Sequence, residues 1–143
     1  MEIFDKLFGT KKLKTTDSDF GEIESFSKKG DRVGWQVNRQ FLGFNIEILL
    51  EGDKDGISKK QKHILLDALT QEALIKSESE NALREQFQNA EMEFQTLDKH
   101  FLLRGISVRD EGFEMAFQEK EGNYYFFNVH FKNNKQVGVS IDG

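Results

Sequence analysis

The chain has 143 residues, which fits one domain of ordinary size. Fourteen phenylalanines supply core area despite a charged fraction of 31%, so the composition is that of a folded chain and not a disordered one. The net charge of −5 argues against nucleic acid as a partner. The absence of cysteine excludes disulfides, thiolate metal sites and a cysteine nucleophile.

Residues 1–19 read as a short amphipathic leader helix and a linker. Ile3, Phe4, Leu7 and Phe8 share one helical face, Gly9 stops the helix, and the polar stretch that follows shows no periodicity. That face is a candidate membrane or docking surface. A helix this short buries too little to anchor a chain alone, which disfavours the membrane. The start is acidic and lacks the apolar middle of a secretory signal, and no apolar run is long enough to span a bilayer. The expected location is the cytoplasm.

Residues 20–143 read as a single α+β domain. Phe20 to Phe26 alternates imperfectly, as an edge strand does. Val33, Trp35 and Val37 then point one way, and Gly34, Gln36 and Asn38 the other. A turn is expected at Asn38-Arg39-Gln40. From about Phe41 to Glu51 a third strand carries Phe44, Ile46, Ile48 and Leu50 on one face. Period two with one polar face describes an antiparallel sheet covered on one side.

Ser58 followed by Gln61 predicts a capping box and the start of a helix. Ile64, Leu65, Ala68, Leu69 and Ala73 form its apolar stripe. Ser77 with Glu80 predicts a second start, and Leu83, Phe87, Ala90 and Phe94 continue the stripe. Two helices, or one kinked near Ser77, satisfy this pattern. The last third alternates again: Leu103 to Arg109, Phe113 to Gln118, Tyr124 to Phe131, and Val137 to Ile141. Turns are expected at 110–112, 121–123 and Asn133-Asn134. The sum is a mostly antiparallel sheet of about six or seven strands, in strands–helices–strands order, with two helices on one face.

Tests for catalytic and metal-binding motifs fail. The segment from Glu51 to Gly56 opens like a calcium loop, but its ninth and twelfth positions fall on Lys59 and Lys62, where ligands should stand. It reads instead as a strand-to-helix turn. His63, His100 and His130 are dispersed and show no zinc spacing. No Gly-rich phosphate loop ends in Lys-Ser or Lys-Thr. No cofactor is implied, and the chain leans away from being an enzyme.

The strand from Tyr124 to Phe131 is more informative. Tyr125, Phe127, Val129 and Phe131 suffice to enter the core. The opposite face carries Tyr124, Phe126, Asn128 and His130, an aromatic row with a polar margin where a simple half-exposed strand would be polar throughout. Those four are the candidate partner-binding residues. The alternative is a central strand covered on both faces.

Phe20-Gly21-Glu22-Ile23, Trp35, the run from Phe41 to Ile48, the helices, and the meander ending Val139-Ser140-Ile141-Asp142-Gly143 together resemble a group of uncharacterised bacterial α+β domains. Some of that group look like immunity proteins. In the group an aromatic run is followed by Gly-His in a late strand. Here Phe126-Phe127-Asn128-Val129 lacks that His, so no functional residue carries over. The acidic net charge, the missing active site and the aromatic strand point to a non-catalytic protein-binding domain with a basic toxin-like protein as partner, and the resemblance implies an immunity protein as its narrower form. Two alternatives stand beside it: an enzyme whose site is built from Asp, Glu, His and Tyr, and a peripheral membrane protein using the leader.

Overall fold

A computed structural model describes residues 12–143 of the chain. The candidate docking residues Ile3, Phe4, Leu7 and Phe8 lie outside the described residues. Nine strands form one sheet: β1 (Lys14–Asp17), β2 (Gly21–Lys29), β3 (Arg32–Phe41), β4 (Phe44–Asp53), β5 (Gly56–Ile57), β6 (Phe101–Val108), β7 (Phe113–Glu119), β8 (Phe126–Lys132) and β9 (Lys135–Asp142). Between β5 and β6 come α1 (Lys59–Thr70), α2 (Glu72–Asn89) and the single turn α3 (Leu97–His100). The α+β class holds, with strands on both sides of the helices in the chain. The described residues hold nine strands, not six or seven, and three helices, not two.

The spatial order is β1-β2-β3-β4-β6-β7-β8-β9, with β5 paired to β4. Every pairing is antiparallel except β4 with β6, which run parallel over Glu47–Gly105, Ile48–Ile106 and Leu49–Ser107. That seam follows from the helices. Leaving β4, the chain crosses the sheet through α1 and α2 and returns in the same direction, as a helical crossover permits and a hairpin does not.

The alternation read from the sequence sets the core. Val33, Trp35, Val37, Ile46, Ile48, Leu50, Ile106, Met115, Phe117 and Val129 are buried on one face, against Leu65, Ile75 and Leu83 of the helices. Ser79 of α2 donates its hydroxyl to the Met115 sulfur at 3.8 Å, which fixes that face as the helix side.

Two boundaries differ from those expected from the sequence. β3 continues through Asn38-Arg39-Gln40, and the turn comes at Leu42-Gly43, both with positive φ (53° and 84°), as a two-residue hairpin turn demands. The helix break falls at Gln71 and not at Ser77. There Thr70 turns its hydroxyl back to the Asp67 carbonyl at 2.7 Å, the Gln71 N–H bonds the Ala68 carbonyl, and Gln71 leaves helical geometry at φ −115°, ψ 37°. Ser77 lies inside an unbroken α2.

Ser58 does cap α1, accepting from the Gln61 N–H. Gln61, however, does not reach back to close a capping box. Its buried amide accepts from the Glu51 N–H at 2.7 Å and donates to Asp110 at 2.9 Å, tying β4 to the β6–β7 turn.

β1 forms inside the segment read as a linker and pairs with β2 from Lys14–Glu24 to Asp17–Gly21. Lys62 of α1 fastens it, with its ammonium 3.1 Å from Asp17 and 2.6 Å from Asp19. Burial works against the Asp17 carboxylate. The N–H groups of Asp19 and Phe20 together with Lys62 prevail and hold its pKa below the usual carboxylate value.

Candidate functional site

The aromatic row proposed from the sequence divides in two. Phe126, Asn128 and His130 lie on the sheet face opposite the helices, since their strand neighbours Phe127, Val129 and Phe131 are buried in the core. Tyr124 is not in β8. It precedes the strand with φ 57°, a left-handed conformation unusual for an aromatic residue, and is 58% exposed. β8 is next to the edge of the sheet, with only β9 beyond it.

On that open face the polar groups engage one another. The Asn128 amide is buried and donates to Asp142 at 2.7 Å. The His130 Nε2 lies 2.9 Å from the Ser140 hydroxyl, and its Nδ1 lies 3.9 Å from a Glu114 carboxylate oxygen. Arg109 also holds Glu114, at 3.2 Å. Ser140, His130 and Glu114 therefore form a chain across β9, β8 and β7 in the order of a nucleophile, a base and an acid.

A second feature lies on the helix side, at the end of α2. The helix stops at Ala90, and Glu91 takes a left-handed conformation at φ 55°. The Met92 N–H then closes back on the Phe87 carbonyl at 2.8 Å. Phe94 folds onto Phe87 edge-to-face, with ring centroids 5.3 Å apart. His100 packs 4.8 Å from Phe87 and 5.2 Å from Phe94. The His100 Nε2 accepts the Gln95 N–H at 3.0 Å, which leaves Nδ1 to carry the proton of the neutral ring.

Facing this cluster is the β7–β8 hairpin. The Tyr125 N–H bonds the Glu119 carboxylate at 3.1 Å, and the Glu119 N–H bonds the Tyr125 carbonyl at 2.9 Å. Lys120 joins the two walls: its N–H meets the His100 carbonyl at 3.0 Å, and its ammonium donates to the Asp98 carbonyl. Between the walls opens a cleft of about 680 Å³, lined by the rings of Phe87, His100 and Tyr125 and by Met92. Met92 is 54% and Tyr125 39% exposed. Glu93, Glu119 and Glu121 stand on the rim against Lys99 and Lys120.

No family model, curated protein or solved structure matches the chain.

The cleft was missed because its walls are remote in sequence. Tyr125 alternates in phase with Phe127 and Val129 and so reads as core, while Met92 carries no periodic signal. A second hollow, of the same volume, lies between α1 and the 110–112 and 133–134 turns. It mixes Lys59, Lys60 and His63 with Asp67, Asp110 and Glu111. Two of its acids are already engaged: Asn134 donates to Asp67 at 3.0 Å and Gln61 to Asp110 at 2.9 Å. The calcium-like segment serves other ends as well, since Glu51 pairs with Arg32 at 2.8 Å. Among the described residues, no group of three or more His, Asp or Glu is placed to hold a metal ion.

Proposed function

We propose that this chain is a non-catalytic protein-binding domain whose cleft at the end of α2 receives an apolar side chain of its partner. The observation carrying this reading is the gathering of exposed Met92 and Tyr125 at one concave place, beside Phe87. Tyrosine and methionine are also the residue types enriched in protein interfaces. The acids on the rim and the net charge of −5 suit a partner with a basic surface. An immunity protein occluding a toxin is the narrower form of this reading, and it accords with the resemblance noted above.

A photo-crosslinking side chain at Tyr125, used in the cells that encode the protein, tests it. One dominant protein adduct is expected, weakened by added salt. In a binding assay with that partner, Tyr125→Ala should reduce affinity by roughly thirtyfold, the cost of truncating one buried aromatic anchor. Equal labelling from the same probe at exposed Phe26, on a distant strand, would count against the cleft.

The Ser140–His130–Glu114 chain supports a second reading, a hydrolase that forms an acyl intermediate on Ser140. It ranks behind the first because the 3.9 Å between His130 and Glu114 exceeds a hydrogen bond, and Ser140 lies exposed on an outer strand. A fluorophosphonate probe should modify Ser140 in the wild type and fail in His130→Gln. No adduct on Ser140 in the wild type removes this reading.

A further inference from the structure

The two outer strands of the sheet are guarded unequally. β1 is only four residues long and begins with Lys14, which pairs with Glu24 at 3.4 Å. β9 spans eight residues and exposes Val137 (65%) and Ile141 (48%). Natural sheets usually shorten or charge such an edge, because its unpaired N–H and C=O groups and apolar side chains recruit another strand.

The direction of the main-chain groups on β9 follows from the ladder. Glu119 bonds the Tyr125 carbonyl, so the main chain of Tyr125 faces β7. Alternation then turns Phe126, Asn128 and His130 toward β9, where they pair with Asp142, Ser140 and Gly138. The N–H and C=O groups of Val139 and Ile141 therefore face away from the sheet, and among the described residues no strand pairs with that side of β9.

We propose that this side of β9 pairs with β9 of a second copy, antiparallel and across a two-fold axis at Val139. The sequence is self-complementary in that register. Val139 opposes Val139 of the second copy, and Val137 opposes Ile141 in both directions. A two-fold axis normal to the sheet preserves which face is which, so only shifts of the register sum by two residues are alternatives. Moving one way places Ile141 opposite Lys135, and moving the other leaves Val137 opposite Gly143. Neither matches all the exposed apolar side chains.

α2 adds to the same margin. Its Glu78 accepts from the Gln136 N–H at 3.1 Å, and Leu74, one turn earlier on the same helix face, is 42% exposed. The bulge at Val137, where two residues of β9 face Phe131, limits regular pairing toward the start of the strand and so favours an axis beyond it.

Sedimentation of the full chain over a concentration series tests the association. A reversible dimer is expected, and Ile141→Lys should raise its dissociation constant by about tenfold or more, since the change acts twice across the axis. Both Ile141 and Val137 are exposed, so Ile141→Lys and Val137→Lys should fold with unchanged circular dichroism. The lack of native cysteine makes the register readable. Val139→Cys should cross-link to itself with a short bismaleimide, and Val137→Cys should not. A monomer at every concentration, a dimer indifferent to Ile141→Lys, or stronger cross-linking from Val137→Cys would each overturn the proposal. So would a dimer that forms only after removal of residues 1–11, because the leader and not a second copy would then cover the edge.

Discussion

Trp35→Ala should cost about 4 kcal/mol of folding stability, within the range for deleting a large buried aromatic. The only tryptophan in the chain is fully buried on β3, opposite Leu50 of β4 and Ser25 of β2. Its ring fills the layer between sheet and helices. Its indole N–H also reaches the carbonyl of Asp53 at 2.9 Å, at the point where β4 gives way to the turn before α1. Alanine removes the burial, leaves a cavity and abandons that carbonyl. Trp35→Phe separates the effects: it keeps most of the apolar ring and loses the hydrogen bond, for about 1–2 kcal/mol. Urea unfolding followed by far-ultraviolet circular dichroism is the measurement, since the variants lose the fluorophore. A loss under about 1 kcal/mol for Trp35→Ala would mean that the indole is not the keystone of this layer.

Much of the architecture is legible in the sequence for one physical reason. Where a sheet is covered on one side, burial imposes period two. Val33-Trp35-Val37, Ile46-Ile48-Leu50 and Phe113-Met115-Phe117 each announce a strand and its inner face, and the structure buries all nine. What escaped is nonlocal. β1 reads Lys-Thr-Thr-Asp and becomes a strand by pairing with β2 and by the hold of Lys62 on Asp17 and Asp19, groups more than forty positions apart in the chain. No local pattern declares that β4 and β6 are parallel neighbours. The break at Gln71 hangs on Thr70 turning a hydroxyl back to Asp67, whereas Ser77 and Glu80 offered an equally good local signal that α2 ignores.

The site divides along the same line. Alternation along β8 correctly set Phe126, Asn128 and His130 on a shared face, because that is a property of one strand. It misplaced Tyr124 and Tyr125, because a left-handed residue at Tyr124 ends the alternation and nothing in an aromatic run warns of it. That Asn128 is occupied by Asp142, and His130 by Ser140, depends on the register with β9. The cleft needs still more: a helix end, a return of Phe94 and a separate hairpin must converge before Met92 and Tyr125 acquire a common function.

The seam between β4 and β6 gives the second large effect. Gly105→Val is expected to destabilise the protein by about 3 kcal/mol, and Gly105→Ala by somewhat less. Gly105 lies opposite Glu47, and a β-carbon there would come within 2.7 Å of the Glu47 carbonyl oxygen. That neighbour is backbone and cannot rotate away as a side chain would. Either β6 moves off β4 or the parallel ladder distorts, and the ladder spans only three residue pairs. The damage spreads because this seam is the sole strand pairing that joins β1–β5 to β6–β9, and because Ile48 and Ile106, paired one step along it, are both buried. Amide hydrogen exchange separates this account from a general loss of stability. In Gly105→Ala, protection should fall first at the amides bridging β4 and β6, while the β3–β4 and β7–β8 ladders stay protected up to global unfolding. Uniform loss across all ladders would place the strain elsewhere, and a Gly105→Val variant as stable as the wild type would show that the two strands have room to part at no cost.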